Sequence, residues 1–327
     1  MIEVKGRQEG HPFTLAIKNS LEAMEYVPDL STVATRLARR CWPGPLTLVL
    51  PASHRNSQLK QLPEIVQQAV APQDTVGLRV PSHPVILAAL ELSAGPFVLT
   101  SANSTGEPAA NTADQVIEAL GDQLDLILDD GPTQSSQASS VVAVENNQIR
   151  LLREGLLDPD TLKRLSSLVV VIVCTGNTCR SPMAAALFRQ QIAQAHNCEP
   201  EELEEKGILV LSAGLAAGAG FPASQEAVDT VSQHGIDLSG HESQPITGRL
   251  VTVADLILTM TRSHRQAIVA QWPQAADRTH LLCRDNCDIS DPIGAAPHVY
   301  QQCAEQLSKQ LAHWIPDLDF SGTTETT

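Results

Sequence analysis

Five consecutive β-branched residues, Val169-Val170-Val171-Ile172-Val173, constrain this chain more than any other stretch. The run has no polar alternation, so it reads as a strand buried on both faces, as in the middle of a parallel sheet. A polar loop follows at once, and then Ser181-Pro182, a strong start signal for a helix running to about His196. Parallel neighbours need crossover connections, usually helical. This half is therefore expected to be α/β.

The loop between that strand and helix reads Cys174-Thr175-Gly176-Asn177-Thr178-Cys179-Arg180-Ser181. Successive backbone N–H groups in such a turn converge and form an anion nest. The helix dipole adds about half a positive charge at the same place. Arg180 supplies a planar fork that grips two phosphate oxygens. Thr175, Gly176, Asn177, Thr178 and Cys179 are then the substrate-binding wall. A cysteine near a helix N-terminus and a cation ionises readily, and the thiolate is the nucleophile. The Ser181 hydroxyl is placed to donate to it. Attack on phosphorus gives a phosphocysteine that water later hydrolyses. The leaving group needs a proton, and Asp291, stiffened by Pro292, is the candidate acid. Cys179 is placed to pair with Cys174 under oxidation.

Composition narrows the classes. The 327 residues suit two ordinary domains. The net charge is -15, split almost evenly between the halves, and aromatics make up 3%. A bulk nucleic-acid binder would need a basic surface, and a stacking platform would need aromatic rings. Seven irregularly spaced cysteines do not make a disulfide scaffold and suggest reduced thiols, hence a cytoplasmic protein. There is no apolar run long enough to span a bilayer, and no signal peptide is expected. Cys283-x3-Cys287 lacks a second ligand pair, so it reads as two core or surface thiols and no metal is expected.

The first half alternates strand and helix. Strands are expected near 13–17, 46–50, 75–80, 97–100, 124–128 and 140–144, and helices near 30–41, 84–92 and 113–120. Proline and glycine mark most joints. The expected organisation is a domain over 1–155, a linker over 156–167, a second domain over 168–316 and a disordered tail over 317–327.

Residues 169–316 resemble the low-molecular-weight protein phosphatase family. The likeness runs past the loop. It includes Leu211-Ser212-Ala213-Gly214, the Gly235-to-Ser243 segment, Ala254 to Thr261 with His264, and Asp291-Pro292 followed by Tyr300. It implies a four-stranded parallel sheet flanked by helices, with no cofactor. It also implies Cys174 as nucleophile, Arg180 as phosphate binder, Ser181 as thiolate stabiliser and Asp291 as acid. Members acting on phosphotyrosine usually place an aromatic residue beside the Asp-Pro; here Ile293 stands there. Thr178 is small and polar, and the loop is similar to that of bacterial protein-arginine phosphatases. Phosphoarginine and phosphotyrosine on a protein substrate both remain open. Thioredoxin-coupled arsenate reductases share the loop but need two relay cysteines that 246–253 lacks.

Residues 1–155 resemble the YrdC-like threonylcarbamoyl-AMP synthase family. The carriers are Lys5-Gly6-Arg7 with His11-Pro12, Trp42 to Thr47, Val76 to Pro81, Thr100 to Gly106, Ser139 to Val142, and Leu152 to Gly155. The resemblance implies a nucleotide site built from Lys5, Arg7, Arg79, Ser101, Asn103, Ser139 and Arg153. It implies ATP, threonine or RNA as partners there. The family opens with a strand and a Thr/Tyr-bearing loop upstream of the Lys-x-Arg segment. Met1 lies just before Lys5, so those elements are expected to be missing, through a late start codon or degeneration. The expectation is a bacterial fusion protein: a phosphatase joined to a truncated YrdC-like domain. The alternative is a synthase, or a nucleotide- or RNA-binding module whose phosphatase half is regulatory.

Overall fold

The computed structural model describes residues 12–103, 107–133 and 137–322. The chain divides into two compact units, Met1–Leu165 and Ser166–Thr327.

The second unit is built around the β-branched run. Strands β7 (Leu168–Cys174), β8 (Ile208–Gly214), β9 (Leu256–Thr259) and β10 (Thr279–Leu281) form a parallel sheet in the order β10-β9-β7-β8. Every residue of β7 is buried. Alternation along the strand explains why none is polar. Leu168, Val170, Ile172 and Cys174 enter one apolar cluster with the helices Arg180–Ala195 and Pro297–Ala312. Val169, Val171 and Val173 enter another with Val251 and Ile268, on the helices Gly248–Val253 and Arg262–Gln271. Each such side chain contributes about 1.5–3 kcal/mol relative to exposure. Thus the α/β reading, with its four-stranded parallel sheet, is what the structure shows.

The first unit is a mixed six-stranded sheet. Strands β1 (Thr14–Ala16), β2 (Leu46–Pro51), β3 (Thr75–Arg79), β4 (Phe97–Leu99), β5 (Ser140–Glu145) and β6 (Gln148–Arg153) lie in the order β4-β1-β3-β2-β5-β6. β1 and β3 are parallel, as are β2 and β5; the other pairs are antiparallel. The helix Thr32–Cys41 lays Val33, Ala34, Leu37 and Ala38 against the sheet's core, which explains its amphipathic pattern.

Three expectations need correction. The segment 124–128 is not a strand. Leu126 and Leu128 are exposed, and the segment pairs with no strand of the sheet. Residues 156–167 carry the helix Pro159–Ser166, and its Leu162 is buried in the first unit's core rather than loose in a linker. Residues 317–320 are packed, not disordered. Leu318 is buried in the second unit's core, and the Phe320 ring meets His196 edge-on at 4.2 Å. Residues 323–327 lie outside the described residues.

Candidate active site

The loop 174–179 leaves the carboxyl end of β7, where ligands of open parallel sheets gather. It turns through Asn177, whose φ of 56° is in the left-handed region that asparagine tolerates. The loop is fastened from every side. Asn177 Nδ2 donates to Ser181 Oγ and Ser212 Oγ, both at 2.9 Å, and its Oδ1 accepts from Gln244 N at 2.8 Å. His241 Nε2 lies 2.8 Å from the Asn177 carbonyl, which can only accept, so Nε2 carries the proton. The Thr175 and Thr178 carbonyls accept from Ala216 N and Ser224 N, both at 2.9 Å. Gly214 makes the close approach possible: a Cβ there would stand 2.5 Å from the Thr175 carbonyl oxygen.

Cys174 Sγ accepts from Asn177 N at 3.2 Å and lies 3.0 Å from Ser181 Oγ. Ser181 Oγ receives the Asn177 amide, so its own proton is free to point at Cys174 or at the Ala213 carbonyl, 3.3 Å away. The helix Arg180–Ala195 begins with no side-chain cap. Its first-turn amides and its dipole face the loop.

Arg180 is 5% exposed. One arm donates to the Ile289 carbonyl at 3.2 Å, and the other forms an ion pair with Asp291. The carboxylate that the sequence puts forward as acid therefore lies against the guanidinium that it puts forward as phosphate clamp. Ile293, two residues beyond it, is exposed.

Sequence reasoning brought out the loop and its acid but not their supports. His264 is buried, with Nε2 2.9 Å from Thr175 Oγ1. Burial, and then the nearby Arg180 charge, lower its pKa against the pull of Asp291 and Asp288. It is therefore neutral at pH 7. Ser212, His241, Gln244 and Ser224 also hold the loop, from segments distant in sequence. Cys179 Sγ lies 3.3 Å from Ser224 Oγ and 3.7 Å from the Tyr300 hydroxyl.

In the first unit, Arg79, Ser139 and Arg153 converge. Arg153 donates to the Ser139 carbonyl at 2.9 Å and to its hydroxyl at 3.2 Å. Thr47 Oγ1 is 3.3 Å from Ser139 Oγ, and Arg79 Nε donates to the Gly44 carbonyl at 3.1 Å. Burial first, and then the neighbouring Arg153 charge, lower the Arg79 pKa. Gly155 lets the end of β6 pass this point, since a Cβ there would meet the Ala138 carbonyl oxygen at 2.3 Å. Ser101 and Asn103 lie beyond the strand pairing. They follow Leu99, which pairs with Thr14, whereas Arg79 pairs with Ala16 at the other end of β1. Lys5 and Arg7 lie outside the described residues.

Both units have recognised relatives. Residues 169–322 match the model of the low molecular weight phosphotyrosine protein phosphatases, and residues 1–155 match the Sua5/YciO/YrdC model, described as telomere recombination. The probable low molecular weight protein-tyrosine-phosphatase EpsP of Ralstonia nicotianae is 36% identical over 45% of this chain and 93% of its own length. The protein-arginine-phosphatase of Bacillus subtilis is 37% identical over 43% of this chain and 91% of its own. A putative threonylcarbamoyl-AMP synthase of Methanocaldococcus jannaschii is 30% identical over 49% of this chain and 70% of its own. The chain thus belongs to the low-molecular-weight protein phosphatase family in its second unit and to the Sua5/YciO/YrdC family in its first. It is a phosphatase enzyme with a fused YrdC-like domain.

Proposed function

We propose that the chain is a cysteine-dependent hydrolase of phosphorylated proteins, with Cys174 as nucleophile, Arg180 as phosphate clamp, Ser181 as thiolate donor and Asp291 as acid and then base. The observation that carries this reading is the seating of Cys174 Sγ between Asn177 N and Ser181 Oγ, beside the uncapped start of the Arg180 helix. Cys174 attacks phosphorus in line, and the loop amides with Arg180 stabilise the charge on the equatorial oxygens. Asp291 protonates the departing group, and water then frees the enzyme from phosphocysteine. No cofactor enters these steps. The seven free cysteines suit a reducing compartment such as the cytoplasm. No helix among the described residues is long and apolar enough to cross a membrane.

Thr178 selects the leaving group. It is half-buried in the loop, where a bulky aliphatic would pack against a flat phenol ring, and its hydroxyl suits a polar guanidino nitrogen. The exposure of Ile293 points the same way. Phosphoarginine is therefore the favoured substrate and phosphotyrosine the second. Thr178→Ile is expected to lose phosphoarginine turnover and gain aryl-phosphate turnover, by about tenfold or more in the ratio of kcat/KM. A variant that keeps its phosphoarginine rate and gains no aryl-phosphate rate would sink this assignment.

A second activity or binding function belongs to the first unit, and the observation that favours it is the Arg79–Arg153 pair. Both side chains are tied to this end of the sheet, Arg79 through the Gly44 carbonyl and Arg153 through Ser139, and two guanidinium groups held in one region suit an anion. We read this as the phosphate or carbonate end of an ATP site, serving either a threonylcarbamoyl-AMP synthase or a nucleotide- or RNA-binding module. Calorimetry of the full chain with ATP checks it. Arg153→Ala is expected to weaken ATP binding by about tenfold or more, for one lost charge-assisted contact. Equal affinity in the variant removes Arg153 from the site.

A further inference from the structure

The turn Cys283-Arg284-Asp285-Asn286-Cys287 takes no part in the phosphatase chemistry. Asn286 has a φ of 60°, and its N–H returns to the Cys283 carbonyl at 3.2 Å, so the two ends of the turn fold together. The two cysteine sulfurs and a carboxylate oxygen of Asp285 all lie within 4.8 Å of one another, with Cys287 Sγ 3.2 Å from Asp285 Oδ1. A fourth polar group arrives from the helix Pro297–Ala312. The Gln306 amide nitrogen stands 3.8 Å from Cys287 Sγ and 4.0 Å from Cys283 Sγ.

We propose that Cys283, Cys287 and Asp285, completed by the Gln306 amide, form a binding site for a thiophilic divalent cation of the Zn2+ type. A tetrahedral ion with bonds of about 2.3 Å to sulfur and 2.0–2.2 Å to oxygen holds its ligands roughly 3.4–3.8 Å apart. Around this turn Cys287 Sγ and Asp285 Oδ1 are 3.2 Å apart and the three ligand atoms lie within 4.8 Å of one another, close enough for a small movement to close them on an ion. Two thiolates and one carboxylate favour a soft or borderline ion over Mg2+ or Ca2+. A half-turn of the Gln306 amide presents its oxygen as a fourth ligand. Unturned, it donates to both metal-bound thiolates. Cys283 is 1% exposed while Asp285 is exposed, so the ion enters from the carboxylate side. The sequence offered only the cysteine pair; folding adds the distant Gln306. The bound ion would brace the chain just before Asp288, which accepts from Arg262 N, and Ile289, which accepts from Arg180.

The test uses the full chain carrying Cys174→Ser, so that the reactive thiol does not compete, reduced with a phosphine. Cd2+ and Zn2+ are the probes. Thiolate-to-cadmium absorption is expected to saturate at one equivalent, and Zn2+ is expected to raise Tm by mass action. Adding Cys287→Ala should abolish both signals. Asp285→Asn and Gln306→Ala should each weaken Cd2+ binding, on the order of 10–100-fold for the amide. Cys198→Ala should leave binding unchanged. Absence of saturable Cd2+ absorption overturns the proposal. So does a signal that survives Cys287→Ala, or one that Asp285→Asn leaves undiminished in a protein of unaltered circular dichroism.

Discussion

Cys174→Ser is expected to lower phosphatase turnover by at least about 10⁴-fold, or ~5 kcal/mol of barrier, because an alcohol replaces the attacking thiolate. The fold should survive the change. Cys174 is nearly fully buried, but serine is of similar shape, and both Asn177 N and Ser181 Oγ remain to bond the new hydroxyl. Steady-state hydrolysis of phosphopeptides, read beside circular dichroism, checks both halves of the statement. The variant should still bind orthovanadate or inorganic phosphate, since the nest and Arg180 are intact. A rate within about tenfold of wild type would take Cys174 out of the chemistry.

Asp291→Asn should separate the two steps. On a substrate whose leaving group must be protonated, the loss is expected to be about 10²–10⁴-fold in kcat. On nitrophenyl phosphate, whose leaving group departs as a stable anion, formation of phosphocysteine should suffer less. Its hydrolysis should still be slow, because the same carboxylate activates water. Rapid-mixing experiments should then show a burst of nitrophenol of about one equivalent, followed by slow turnover. An equal loss on both substrates with no burst would argue against Asp291 as acid and base.

The site was legible wherever its chemistry lies in one continuous segment. Val169 to Pro182 carries strand, nucleophile, anion nest and helix start in sequence order, and each piece has a local rule behind it. Asp291 is distant; the need for an acid and the Asp-Pro pair made it a candidate, and the likeness to a family strengthened the link to the loop. The loop's supports were not legible by composition or spacing. His264, Ser212, Gln244 and Ser224 are ordinary polar residues whose role exists only because β8, the helix Arg262–Gln271 and the loops around 224 and 244 deliver them to one place. The same limit explains the errors in the fold. Leu124, Leu126 and Leu128 alternate as a strand does, but alternation does not decide whether the segment reaches a sheet edge to pair with, and here it does not. The final residues look like a polar tail, yet Leu318 and Phe320 find apolar partners from distant parts of the chain. In the first unit, a list of basic and hydroxyl residues could not show that Arg79, Ser139 and Arg153 share one end of the sheet.

The ion pair between Arg180 and Asp291 gives the site a threshold. With Arg180 already matched to a carboxylate carried by the protein, an arriving anion gains only the difference between itself and that carboxylate. On the proposed reading, a phosphoryl group with two negative charges and several acceptor oxygens is expected to win the exchange, and a singly charged buffer or metabolite anion to gain little. On the proposed mechanism, the displaced Asp291 carboxylate, now beside a phosphoryl dianion, takes up a proton from solvent and can then pass it to the leaving group. After the chemistry the exchange runs backward, and the returning carboxylate helps to expel the phosphate. One contact thus screens what enters and hastens what leaves.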